Sequence, residues 1–481
     1  MQKVKCLAAL AAILLATLGS FGQEKPPAPG PAKSVTIPPV VDKKLANGLT
    51  VASVEKHNLP LVTVQMLIKT GAKAESDSQA GLADMTASML TKGTKTRTAT
   101  QIAEAVESLG GSINSGAGWN SSFVAVTVTS DKLDQAMAIL ADVILNPKFD
   151  QKELDLLKSQ SLDGLTYSLK QPSFLASYVA SKYTFGEHPA GGTPDSINRI
   201  TRNDIIGFHG AHYVPASSVL IFSGDITAAA AATKATKFFG RWPTSKITEM
   251  ISGAPTTEAS GKPANGILVI DLPKSGQAAV TYAKPVASIG RSSGNYYPAI
   301  VLNSVLGGGY SSRLNYEIRI KRGLSYGAGS SFGWRAGNAT FATRVQTKNQ
   351  SAAEVADLTL TEMKRLGNNK VDSDELIPRK SVLTGGFGRN LETTGGLASA
   401  IGDLYAFGMS TSELNAYMTR VNGVTADQIK DFATQNLKDG DFIIVGDYSV
   451  FKDDLVKRFP KTKITVIEAD QLDLSKANLQ K

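Results

Sequence analysis

The chain has 481 residues, of which 42% are apolar and 19% charged, with one cysteine, four histidines and a formal charge of +9. That length accommodates two ordinary domains, and the apolar share supports a packed core. A single cysteine excludes an intrachain disulfide framework, and scattered Lys and Arg without a long basic block argue against a nucleic-acid role.

Lys3 and Lys5 precede the apolar run CLAALAAILLATLG, and Ser20 and Gly22 are small residues of the kind a signal peptidase prefers. Residues 1–22 are therefore expected to be a signal peptide cleaved before Gln23. Without Lys3 and Lys5 the charge falls to +7, which supports only a mild preference for acidic substrates or surfaces. Cys6 lies inside this segment and lacks the small neighbours of a lipoprotein cysteine, so thiolate chemistry is not expected of the mature chain. No later apolar run reaches the length of a bilayer span, and a secreted protein, periplasmic in a double-membraned bacterium, is expected. Residues 23–41 are proline-rich and aperiodic, as in an extended tether.

Residues 42–240 read as a first domain. KKLANGLTVASVEK places an Asn-Gly turn between strand-like runs, and LPLVTVQMLIKTG is a mostly apolar strand. GLADMTASMLTKG and TATQIAEAVESLGG follow as helices, the second with Thr100 as its expected N-cap and Gly110–Gly111 at its close. SSFVAVTVTS alternates as a strand, DKLDQAMAILADVILNP is a helix stopped by Pro147, and FDQKELDLLKSQSLDGLTYSL is a further helix. SSVLIFSGDI is a strand running into a Gly-Asp turn. Residues 241–264 are rich in Ser, Thr, Pro, Gly and Ala and read as a linker. The same order then recurs over 265–470, ending in DFIIVGDYSV with its own Gly-Asp turn, before a tail at 471–481. The expected fold is α+β: two homologous domains, each an antiparallel-type sheet with helices packed on it.

Four stretches could carry chemistry. In GLADMTASMLTKGT (81–94), positions 84, 87 and 88 share one helix face. An inverted H-x-x-E-H zinc motif places two imidazoles and a glutamate base there, but this sequence has Asp84, Ala87 and Ser88. In RIKRGLSY, Gly323 is a natural helix C-cap, and the turn after it can bring Arg319 and Tyr326 to one wall, two good donors to a carbonyl or an oxyanion. The same residues contain GLSYG, but helix–glycine–strand is the reverse of the nucleophile-elbow order, which weighs against Ser325 as a nucleophile. The run LGGGYSSR (306–313) lacks the Gly-Lys-Ser/Thr ending of a phosphate loop and reads as a break between helices. His209 and His212, spaced i, i+3, lack a nearby acidic or thiolate cluster; a helix end is the plainer reading.

The flanks of the first stretch, Gly81-Leu82-Ala83, Met89-Leu90 and Lys92-Gly93-Thr94, resemble the zinc helix of the pitrilysin family of metallopeptidases, which includes insulysin and the mitochondrial processing peptidase. ESLGGSINSGAGWNSSFVAVTV resembles that family's substrate-binding edge strand, and FDQKELDLLKSQ its helix with the third metal ligand. The resemblance covers the chain from residue 42 onward. It implies a clamshell half whose zinc-site positions are Asp84, Ala87, Ser88 and Gln160, with Glu153 kept and no zinc held by this chain. It also implies substrate contacts at Arg319 and Tyr326, and strand addition at Asn114 and Ser115. Some bacterial members of the family pair two subunits, one with the zinc motif and the other with the arginine–tyrosine pair. The resemblance therefore implies a noncatalytic, substrate-binding subunit that needs a zinc-bearing homologous partner to act on unfolded peptides. The alternative is a peptide-binding or structural scaffold without proteolysis.

Overall fold

A computed structural model describes residues 36–244, 264–474, 476 and 478–481. The signal peptide expected at 1–22, residues 23–35 of the tether and all but the ends of the linker lie outside the described residues. Among them no helix is long and apolar enough to cross a membrane.

Two six-stranded mixed sheets carry the fold. The first contains β1 (Val41–Lys44), β2 (Thr50–Glu55), β3 (Leu61–Ile68), β4 (Ser112–Ala117), β5 (Ser122–Thr129) and β6 (Ser218–Gly224), in the order β1-β2-β6-β3-β5-β4. The second contains β7 (Ile267–Asp271), β8 (Ala278–Val286), β9 (Ser325–Trp334), β10 (Ala339–Thr347), β11 (Asp441–Gly446) and β12 (Ile464–Glu468), in the order β12-β7-β11-β8-β10-β9. Five strands match one for one: β2 runs parallel to β6 as β7 does to β11, and the three remaining pairings of each set are antiparallel. The SSVLIFSG and DFIIVG runs seen in the sequence are the equivalent strands β6 and β11, fully buried in both copies. Only the sixth strand differs. β1 joins β2 as an antiparallel hairpin through the Asn47-Gly48 turn, where Gly48 has φ +93°, whereas β12 joins β7 in parallel.

Each sheet is covered on one face by helices of its own half, and the opposite face is covered by a helix from the other half. Leu175, Ala176, Val179 and Ala180 of the helix Pro172–Tyr183 pack on Leu268, Ile270, Ile443 and Val445 of the second sheet. In return, Leu397, Ala398, Ile401 and Leu404 of the helix Thr394–Ala406 pack on Ala52, Leu67, Val219 and Ile221 of the first. The two helices hold equivalent places in the repeat, so the loan is reciprocal.

The helix Ala99–Glu107 is capped by Thr98, not Thr100 as the sequence suggested. The Thr98 hydroxyl accepts from the Gln101 amide at 3.2 Å, and the Gln101 side chain accepts from the Thr98 amide at 2.9 Å. Only a cap three residues before a Gln or Glu completes this reciprocal box, and Thr100 has no such partner.

Candidate functional site

The helix Leu82–Met89 packs against β4, β5 and the helix Gln151–Leu169. Asp84 and Ser88 are its half-exposed residues, one turn apart, while Ala87 is fully buried. Burial pushes the Asp84 carboxyl up from its ordinary value, against a smaller opposing effect of the Ala117 amide. Gln160 is exposed on the 151–169 helix, and Glu153 is half-buried two turns earlier.

The helix is held by a residue that the sequence reading missed. Glu75 is buried, and its two carboxylate oxygens accept from the amides of Gly81 at 2.9 Å and Ala83 at 2.7 Å, at the helix N-terminus. His188 Nε2 lies 3.1 Å from the same carboxylate, and its Nδ1 lies 3.5 Å from Asp77. A glutamate seven residues ahead of a helix start is a weak signal, because its partners are backbone groups reached by a turn. Glu75→Ala leaves two amides and the His188 Nε2 without their partner, and is expected to cost about 3 kcal/mol or more of stability, read by urea denaturation.

Asn114 and Ser115 lie on β4, the edge strand of the first sheet, paired only on one side with Ala125 and Val124 of β5. Asn114 is exposed and Ser115 half-buried. The outer edge of β4 therefore offers backbone N–H and C=O groups to an extended peptide. The equivalent edge strand of the second sheet is β9. The turns that follow β4 and β9 meet: Asn120 Nδ2 donates to Trp334 O at 3.0 Å, and the Arg335 guanidinium lies 4.7 Å from the Trp119 ring. Arg335 also makes a bidentate pair with Glu187, at 2.9 and 2.6 Å.

Tyr326 is the second residue of β9, at the end away from that joint. Arg319 sits in a π-helical turn, Tyr316–Ile320, which continues the short helix Arg313–Asn315. Gly323, with φ +65°, ends the turn, and the Leu324 amide donates back to Ile318 O at 2.9 Å. The sequence had placed the glycine cap but carried no sign of the π turn, a wide turn often found at functional sites. Arg319 and Tyr326 line one open cleft of about 850 Å³, together with Gln277, Gln346 and Lys348. Tyr326 is 93% exposed, and the Arg319 guanidinium stands 5.1 Å from the Tyr310 ring. The site residues thus fall into two groups: Arg319 and Tyr326 share a cleft, and neither β4 nor the 82–89 helix lines it.

Comparison with known proteins bears on both groups. A family model described as "Insulinase (Peptidase family M16)" matches residues 50–178, and one described as "Peptidase M16 inactive domain" matches residues 199–383. The chain belongs to the M16 peptidase family. M16 is the family of insulysin and pitrilysin that the sequence resembled. A protein of Mycobacterium leprae named as an uncharacterized zinc protease is 26% identical over 405 residues, covering 82% of this chain and 88% of its own length. A similarly named protein of Rickettsia felis is 26% identical over 396 residues, covering 82% and 93%. Among solved structures, a peptidase M16 inactive domain from Pseudomonas fluorescens aligns with a TM-score of 0.75 at 25% identity, over 85% of this chain and 98% of that one. The periplasmic protease PqqL of Escherichia coli aligns with a TM-score of 0.68 at 15% identity, over 90% of this chain but only 52% of its own. The two sheet-plus-helix halves are the M16 fold.

The zinc that M16 peptidases carry does not fit the donor set at the four positions that the sequence resemblance equates with its site. Zinc takes thiolate, imidazole or carboxylate ligands. Of the four positions only Asp84 offers one, and its burial favours the neutral acid. Ala87 has no donor, Ser88 supplies a hydroxyl and Gln160 an uncharged amide. Among the described residues no group of three or more His, Cys, Asp or Glu is placed to hold a metal.

The other sequence candidates are occupied structurally. Ser325 Oγ donates to Gly327 O at 2.7 Å and accepts from the Gly327 amide at 3.0 Å, a local turn rather than a nucleophile beside a base. In the glycine run, Gly307 O accepts from the Ser330 amide at 3.2 Å, which ties this break between helices to β9. His209 Nε2 lies 2.9 Å from Ile144 O, and its ring stacks on Tyr213. Burial lowers the His209 pKa from 6.5 to about 4. Between those values the unfolded chain binds a proton that the folded chain does not, so stability falls as pH drops through this window. The expected loss is of order 2 kcal/mol. Melting temperature followed from pH 6.5 to 4 should fall less steeply for His209→Phe than for the wild type.

Proposed function

We propose that this chain is the noncatalytic, substrate-binding subunit of an M16 metallopeptidase heterodimer that degrades or processes unfolded peptides. Its zinc-bearing homologous partner would supply the metal and the base. The observation that supports the reading is a division: Asp84, Ala87, Ser88 and Gln160, which the resemblance equates with a zinc site, are an unfit donor set, while Arg319 and Tyr326 stand in an open cleft that those positions do not line. A pair so placed can serve a site on another chain. The guanidinium and the phenol would donate to the scissile carbonyl and to the oxyanion that forms from it. The open edge of β4, with Asn114 and Ser115, would take the peptide as an added strand. The E. coli periplasmic protease, in which a chain of this length aligns with about half, is consistent with two such units making one enzyme. That neighbour and the expected signal peptide both favour a periplasmic setting.

The test is peptide cleavage by this chain alone, by a zinc-bearing M16 partner alone and by the mixture. Activity of the mixture well above either component supports the proposal, and activity of this chain alone refutes it. A mixture that forms a complex and binds peptide without cleaving it would favour the scaffold reading. Metal analysis of the purified chain is expected to find well below one zinc per chain; a full equivalent would overturn the metal-free assignment.

A further inference from the structure

A second cleft, of about 450 Å³, opens among the helices Ser373–Glu392, Thr394–Ala406 and Glu413–Gly423, and shares no lining residue with the Arg319–Tyr326 cleft. Arg291 stands on one wall, its guanidinium 3.8 Å from the centre of the Tyr296 ring. That ring fixes the group, yet Arg291 Nη1 is buried and has no hydrogen-bond acceptor. A buried N–H without an acceptor is costly, and a guanidinium so placed is matched by a planar anion. Asp403 lines the same cleft and makes no side-chain hydrogen bond or ion pair; burial pushes its carboxyl up from the ordinary value, and the charge of Arg291 opposes that shift. The other carboxylate of the cleft is already engaged: Glu413 accepts from the Tyr297 hydroxyl and pairs with Arg420 at 2.9 Å. Phe387 and Tyr417 line the same cleft and stack with ring centres 4.1 Å apart.

A cation and an anion that line one cleft without a direct hydrogen bond between them are complementary to a ligand carrying both charges. A simple anion would meet Arg291 but also the negative charge of Asp403. We propose that this cleft binds a small zwitterion with an aromatic side chain, a free amino acid or a short peptide. Its carboxylate lies on Arg291, its ammonium on Asp403 and its ring against the Phe387–Tyr417 pair. The cleft volume falls within the range of small-molecule sites. The proposal does not depend on how the chain contributes to proteolysis.

The test is calorimetric titration of the full chain with L-phenylalanine, L-phenylalaninamide, which lacks the carboxylate, and N-acetyl-L-phenylalanine, which lacks the ammonium. Saturable one-to-one binding of L-phenylalanine is expected, with each derivative at least about tenfold weaker. Arg291→Gln and Asp403→Asn should each weaken L-phenylalanine by a similar factor. Asp403 is close in shape to asparagine, so that variant keeps the fold, as an unchanged melting temperature would verify. No binding of L-phenylalanine overturns the proposal, as does equal binding of the three probes or unchanged affinity in Asp403→Asn.

Discussion

Arg319→Ala is expected to lower peptide cleavage by the mixture of this chain with the proposed zinc-bearing partner by about 10²–10³-fold, the usual effect of removing one oxyanion donor. Tyr326→Phe, which deletes a single hydroxyl, is expected to fall in or just below that range. Neither change should disturb the fold. Tyr326 is almost wholly exposed, and Arg319 loses only a ring contact with Tyr310, worth about 0.5–1 kcal/mol at an exposed site. The measurements are the cleavage rate and KM of the mixture, with the melting temperature as control. An interaction made only in the transition state lowers kcat and kcat/KM together, whereas simple peptide capture raises KM alone. Unchanged rates in both variants, with the complex still formed, would remove the pair from the reaction.

The second large effect concerns the exchanged helices. Leu175→Ala in the 172–183 helix and Leu397→Ala in the 394–406 helix each empty a buried site, at an expected cost of about 2–5 kcal/mol. That is a large part of a typical total stability of about 5–15 kcal/mol. The informative point is where the loss is felt. Leu175 belongs to the first half in sequence but packs on the second sheet, so both halves should lose stability together. Variants keeping only Trp242, in the first half, or only Trp334, on β9, should report the same shift of urea midpoint. Separate transitions would show that the halves unfold independently. By the same reasoning, residues 36–240 expressed alone should be insoluble, since the face of the first sheet formed by Ala52, Leu67, Val219 and Ile221 would lie bare.

The repeat was legible because strand runs of equal character recur in equal order, and β6 and β11 keep the same apolar run and closing turn. The likeness of the 82–89 helix to a zinc helix rests only on its flanks, as Asp84, Ala87 and Ser88 carry no signal of their own. The exchange was not legible. A periodic pattern such as LASYVA tells that a face is buried, not which sheet buries it. Glu75 and the Arg291–Asp403 cleft were hidden for a related reason. Their meaning lies in partners brought from distant parts of the chain, and in Glu75 those partners include backbone amides that no residue code reveals. Gly323 was readable as a stop because only a residue comfortable at positive φ ends a helix in that way.

The reciprocal loan of one helix has the geometry of a domain-swapped pair. Two separate chains, each bearing one sheet and its helices, would make the same exchange across a two-fold axis. Such a pair would hold together only at sufficient concentration. Joined in one polypeptide, the exchange becomes intramolecular, and its effective concentration is set by the length of the connection instead of by the abundance of the protein. The body that presents the Arg319–Tyr326 cleft therefore stays assembled at any dilution.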